Sequence, residues 1–176
     1  MCRNMNIRIV RHGFTMIELL IVVAILAIAA AIVVPMVSSA GSMQLRAAVN
    51  VVAADLEYAK SMSISRGQRY AVVFDKNAET YRITDETEAT ISHPVKTGFP
   101  FTVDFRSDGR LSQVDIVDVS FDGASAVSFD SLGSPYSGTG GSATSLNSGT
   151  ITLQAGGITK TVKVEAVTGY ISVISN

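Results

Sequence analysis

Hydrophobic residues along this chain fall into three successive patterns. The first is continuous: Leu19 to Val34 is sixteen apolar residues without a break. Phe14, Met16 and Ile17 extend it backwards past Thr15 and Glu18, and Met36 and Val37 extend it forwards past Pro35. As a helix rising about 1.5 Å per residue, the stretch 14–37 is about 36 Å long, against a bilayer hydrocarbon core of about 30 Å. A domain of this size seldom buries a helix so uniformly apolar. A membrane segment is therefore predicted over 14–37.

The second pattern has spacings of three and four: Leu45, Ala48, Val49, Val52, Leu56, Ala59 and Met62. This is the apolar stripe of an amphipathic helix. Arg46, Asn50, Asp55, Glu57 and Lys60 fall mostly off it. Gly67 follows Arg66 as a stop signal. Ser38 to Ser42 is small and polar, either a break or a thin stretch of the same helix. The expectation is one long helix over 14–66, bent at Pro35, which has no N–H and clashes with the preceding turn.

The third pattern has period two. Tyr70–Phe74 and Thr80–Thr84 flank the polar turn Asp75–Glu79 and read as a hairpin. Phe101–Phe105, Val114–Phe121, Val127–Phe129, Ile151–Leu153, Lys160–Val167 and Tyr170–Ile174 read as further strands, with turns at Asp108-Gly109 and Thr168-Gly169. On this pattern 67–176 is an antiparallel sheet or sandwich. Tyr136–Gly149, rich in Gly and Ser, reads as a flexible surface loop or as a variable loop that meets a partner.

Composition narrows the function classes. The chain has 176 residues, 47% apolar and 16% charged, a net charge of −1 and a mean hydropathy of +0.34. Bulk disorder needs the opposite balance, and a strongly basic nucleic-acid binder is excluded as a whole-chain property. Cys2 is the sole cysteine, so neither an intramolecular disulfide nor a cysteine zinc site can form. The histidines are His12 and His93, and His93 precedes Pro94 in a polar connection with no GxSxG motif anywhere. No enzyme activity is expected. Asp104, Asp108, Asp115, Asp118 and Asp122 suggest calcium, but their spacing matches no EF-hand loop. No metal and no cofactor are expected. Lys60, Arg66, Arg69, Lys160 and Lys163 are scattered rather than clustered, so DNA is not an expected partner.

Charge also sets an orientation. Arg3, Arg8 and Arg11 precede the apolar run without an acidic residue, and the first charge after it is Arg46. The positive-inside rule places the N-terminus in the cytoplasm and everything past Val37 outside the inner membrane. A secretory signal cut after Ala40 is the competitor, because Ser38-Ser39-Ala40 before Gly41 resembles a small-residue cleavage site. The run exceeds the usual 7–15 residues of such a signal. It also contains Glu18, and a carboxylate in an apolar segment carries a cost that a simple signal has no reason to bear.

Glu18 belongs to a pattern, Gly13-Phe14-Thr15-Met16-Ile17-Glu18-Leu19-Leu20 behind a short basic leader. It resembles the N-terminus of type IV prepilins and type II secretion pseudopilins. The resemblance implies that a prepilin peptidase/methyltransferase cuts after Gly13 and methylates the new amine of Phe14. It also implies that Glu18 serves assembly, and Pro35 matches a proline common near the end of the family's apolar segment. Cleavage would remove Arg3, Arg8 and Arg11 and leave the chain more acidic. In a bundle of such helices, the Glu18 carboxylate of one subunit can meet the Phe14 ammonium of its neighbour. In low dielectric that pairing is strongly favoured over a lone carboxylate.

The C-terminal half resembles the GspH/FimT family of minor pilins and pseudopilins. The likeness rests on Phe129-Asp130-Ser131-Leu132-Gly133-Ser134-Pro135, on Gly149-Thr150-Ile151-Thr152-Leu153, and on Val164–Val173 with its Thr168-Gly169-Tyr170. It implies an α+β, pilin-like fold, a long N-terminal helix packed on an antiparallel β-sandwich, and a low-copy subunit near a filament tip that helps start assembly. Many members have Arg after the last Thr-Gly. Here Tyr170 and Ser172 occupy that region, which weakens a role in DNA uptake.

The resulting expectation has four parts: a leader over 1–13, a transmembrane and assembly helix over 14–37, a periplasmic amphipathic helix over 38–66 and a β-sandwich over 67–176. The expected partners are other pilins or pseudopilins, the processing enzyme and the inner membrane. The type IV pilus and the type II secretion pseudopilus share both motifs. A DNA-binding minor pilin and a freely secreted β domain cut after Ala40 are the alternatives.

Overall fold

A computed structural model describes residues 14–175, with side chains described for 14–30 and 41–174. The leader 1–13, and with it Gly13, lies outside the described residues. The chain forms two compact units, Met1–Val37 and Ser38–Asn176.

One helix, α1, spans Met16–Arg66. Its bounds run through Pro35 and through the small polar stretch at Ser38–Ser42, so that stretch continues the helix rather than breaking it. In the first unit, the side chains from Phe14 to Ala30 are all exposed. Among the described residues no helix is long and apolar enough to cross a membrane; side chains of the apolar run are described only as far as Ala30.

In the second unit the amphipathic stripe behaves as its spacing dictates. Leu45, Ala48, Val49, Val52, Leu56 and Ala59 are fully buried, and Met62 is half-buried. Each Leu or Val so buried contributes about 1.5–3 kcal/mol relative to exposure. Gly67, at φ 65°, ends the helix in the left-handed conformation that C-terminal caps favour.

Two antiparallel sheets share the core with this stripe. The first has the order β3-β2-β1-β5-β6-β7, from β1 (Tyr70–Asp75), β2 (Thr80–Thr84), β3 (Thr102–Asp104), β5 (Ala126–Phe129), β6 (Pro135–Ser137) and β7 (Thr144–Ser145). The second has the order β10-β9-β8-β4, from β4 (Asp115–Phe121), β8 (Gly149–Ala155), β9 (Ile158–Val164) and β10 (Ile171–Ser175). Phe74, Tyr81, Phe105, Phe121 and Phe129 fill the space between helix and sheets. Tyr81 meets Phe105 edge-on at 6.1 Å and Phe74 at 5.3 Å, spacings in the favourable range for aromatic pairs.

Four expectations change in detail. β3 is shorter than 101–105, yet Phe101 and Phe105 at its flanks are buried as their alternation requires. A bulge between Ile116 and Asp118 breaks the alternation of β4 and leaves Val117 exposed. β9 stops at Val164, because Val167 and Gly169 both take positive φ in the turn that follows. The Gly/Ser-rich loop holds short strands instead of being structureless. β6 and β7 pair with each other, a 3-10 turn spans Gly140–Ser142, and Leu146 is buried. Arg69 secures this segment, stacking over the Tyr136 ring at 4.3 Å and donating to the Gly140 carbonyl at 3.1 Å.

Candidate assembly segment and C-terminal turn motif

The assembly segment begins with a helix cap. Phe14 and Thr15 lie before the helix, and the Glu18 N–H donates to Thr15 Oγ1 at 3.3 Å. Leu19 N–H donates to the Thr15 carbonyl at 3.2 Å, the first turn of the helical ladder. Thr15 is thus the N-cap and Glu18 the third helical residue, the T-x-x-E arrangement of a capping box. The sequence reading passed over this role, although the four-residue signal was present. The cap leaves the Glu18 carboxylate exposed at the positive end of the helix dipole, where negative charge is favoured.

Beyond the cap the apolar surface is bare. Phe14 is 77% exposed and Met16 84%. Leu19, Ile21, Val23, Ile25 and Ile28 are exposed as well, on every side of the helix. An apolar area of this kind is costly to expose to water.

The C-terminal motif converges on two glycines. Asp130 Oδ1 accepts from the N–H groups of Leu132 and Ser134, which folds Asp130–Ser134 into a tight turn. Gly133 sits there at φ 82°. Gly169, at φ 58°, sits so close that a Cβ on it would lie 2.8 Å from the Gly133 carbonyl oxygen. Lys60 Nζ, from the last turns of α1, donates to the carbonyls of Thr168 and Gly169 at 3.1 and 3.0 Å. Lys60 therefore ties the Thr168-Gly169 turn to the helix, and Gly169 packs that turn against the Asp130–Ser134 turn.

The other candidate residues serve local structure. His93 Nδ1 accepts from the N–H groups of Val95 and Lys96, and its ring stacks on Phe101 at 4.6 Å. Asp104 Oδ1 accepts from the N–H groups of Arg106 and Ser107, and Asp122 from those of Asn147 and Ser148. Asp108 pairs with Arg110 at 2.7 Å, Asp115 with Arg106, and Lys163 with Glu165 at 2.7 Å. Asp118 is exposed on β4. Among the described residues no three His, Cys, Asp or Glu side chains are grouped to hold a metal ion.

The architecture is α+β, an N-terminal helix whose stripe packs on two antiparallel sheets. The model of the family described as "Type II transport protein GspH" matches residues 48–168, more than half the chain, and the chain belongs to that family. The prokaryotic N-terminal methylation motif matches residues 9–34. No curated protein matches the sequence significantly. Among solved structures, the chain is similar to the minor pseudopilin EpsH from the type 2 secretion system of Vibrio cholerae. That pair is 10% identical, covers 75% of this chain and 97% of that one, and has a TM-score of 0.54, a likeness of fold. The type IV minor pilin FimU of Pseudomonas aeruginosa gives 14% identity, 74% and 92% coverage, and a TM-score of 0.48. The chain is accordingly a GspH-family type II transport protein that carries the prokaryotic N-terminal methylation motif.

Proposed function

We propose that the chain is inserted in the inner membrane through 14–37 with its N-terminus in the cytoplasm, cut after Gly13 and methylated on the Phe14 amine. The β domain then lies in the periplasm. The subunit enters a pilus or pseudopilus as a low-copy member near the tip and helps to start assembly. It works as a structural part and not as an enzyme. Pro35 supplies the bend between the membrane and periplasmic parts of the helix.

The observation that carries this reading is the match of the methylation motif to residues 9–34. Its support is an exposed apolar helix whose first turn presents Glu18. In the assembled bundle the Glu18 carboxylate faces the Phe14 ammonium of a neighbouring subunit. Removing one partner of such a buried pair costs about 3–5 kcal/mol, because the other charge stays behind unpaired. The test replaces Glu18 by Ala and by Gln in the native host. Both variants should be processed normally and fail to enter filaments or support secretion. Assembly at the wild-type level by both would remove Glu18 from the account.

A further inference from the structure

The first sheet has two faces. One carries Val72, Phe74, Tyr81, Ile83, Val127 and Phe129 into the core shared with α1. Residues directly opposite one another on neighbouring strands share a face. The register therefore aligns Thr84, Ala71 and Ser128 in one row across β2, β1 and β5. Alternation along β1 turns Ala71 away from Val72, and so to the face opposite the core. That face is sealed along this row: Thr84 is 1% exposed, Ala71 2% and Ser128 0%. Two residues along β2 on the same face, Arg82 is exposed, so the seal is local.

Two segments reach this face. Tyr136 stands opposite Ser128 and shares its side of the sheet. Arg69, just before β1, lies over the Tyr136 ring and donates to the Gly140 carbonyl. From the other side comes the turn 85–89, which follows Thr84 directly. It is closed by Asp85 N–H donating to the Ala89 carbonyl and Glu88 N–H to the Asp85 carbonyl. Glu88 Oε1 accepts from the Thr139 hydroxyl at 2.7 Å and so latches this turn to the segment that carries Gly140.

Thr84 Oγ1 and Ser128 Oγ are fully buried, and neither has a hydrogen-bond partner among the described residues. A buried hydroxyl left unpaired forfeits the bond it makes to water in the unfolded chain, and buried polar groups in native proteins are almost always paired.

We propose that ordered internal water is held between this row and its cover, bonded to Thr84 Oγ1 and Ser128 Oγ across the short side chain of Ala71. A hydroxyl both donates and accepts, and a buried water needs two to four polar partners, of which the two hydroxyls supply the first. The row carries no charge. The charged groups at its margins, Arg69 and Glu88, are engaged with Gly140 and Thr139. Such a site selects neutral water over an ion, and an apolar ligand would leave both hydroxyls unpaired. The site lies within the β domain and does not depend on how the N-terminal segment assembles.

The test uses the full chain in detergent. Thr84→Val keeps the shape of the side chain, and Ser128→Ala removes a single oxygen. If water pairs these hydroxyls, each variant strips a bond from it and should lower Tm by about 3 °C. If they are unpaired, Thr84→Val relieves a cost. A Tm of that variant equal to or above wild type would overturn the proposal. Oxygen-17 relaxation dispersion, which detects long-lived internal water, supplies a second readout. The wild-type dispersion should exceed that of the Thr84→Val/Ser128→Ala double variant by the equivalent of about one water or more. Thr139→Val removes the latch and leaves the row intact, so it remains informative if the row variants do not fold. It should shorten the residence time of that water with little change in Tm. Equal dispersion in wild type and the folded double variant, or a residence time unmoved by Thr139→Val, would overturn the proposal.

Discussion

The Glu18 N–H donates to Thr15 Oγ1 at 3.3 Å, so the glutamate that faces a neighbour in the proposed filament also sits inside the cap of its own helix. The threonine fixes where the helix starts, and so where along it the carboxylate stands.

Replacing Thr15 by Ala removes that acceptor and should cost about 1 kcal/mol of local helix stability, with Thr15→Ser close to wild type. Amide exchange at Glu18 and Leu19 in the detergent-solubilised chain reads this directly. We expect roughly fivefold faster exchange in the alanine variant. Unchanged exchange would show that the cap contributes nothing.

Gly169 cannot accept a side chain for two separate reasons. Its φ of 58° disfavours any L residue, and a Cβ would stand 2.8 Å from the Gly133 carbonyl oxygen, a backbone atom with nowhere to go. Gly169→Ala should destabilise the β domain by about 2 kcal/mol or more and lower its Tm by roughly 4 °C or more. Gly157→Ala is the control. Gly157 has φ 78° with open space around it, so only the conformational cost of about 1 kcal/mol applies. Equal losses in the two variants would mean that the Gly133–Gly169 approach does not matter.

Asp55 lies beside the buried stripe and accepts from the Tyr81 hydroxyl at 2.5 Å. Burial raises its carboxyl from the ordinary aspartate value, against the opposing pull of that bond and of His93. A carboxyl raised on folding binds its proton more tightly in the native state. Its contribution is therefore full below the unfolded pKa and declines as pH rises through the folded one. Asp55→Asn does not titrate, so the Tm of wild type relative to this variant should fall as pH rises above the ordinary aspartate value of about 4. The half-buried Asp85, Asp104 and Asp108 are shifted downward by their hydrogen bonds and act with the opposite sign. They are common to both chains and cancel in the difference. A difference that rises with pH would contradict the assignment.

The reading from sequence was strongest where a single periodicity acts alone. The helix stripe from Leu45 to Ala59 and the hairpin of β1 and β2 follow directly from spacing, because each side chain has one face to choose. It failed where long-range contacts override local preference. Tyr136–Gly149 looked structureless because Gly and Ser carry little apolar signal; Arg69 and the pairing with β5 shape it from outside the segment. Val167 sits at φ 66°, a conformation no β-branched residue favours, so β9 ends three residues early for a reason its own composition hides. The Gly13-Phe14 to Glu18 motif was legible because it is a contiguous run of fixed residue types, and the N-terminal methylation motif matches across it, over 9–34. The Lys60 contact with the Thr168-Gly169 turn was not, since it joins residues more than a hundred positions apart.

The central claim is that the chain is a processed, filament-forming subunit. It is tested most directly by the intact mass and N-terminal peptide of the protein isolated from its own host. The account predicts a chain that starts at Phe14 with a methylated amine. A chain that starts at Gly41 would contradict it, because a protein cut after Ala40 has lost Phe14, Glu18 and the apolar helix together.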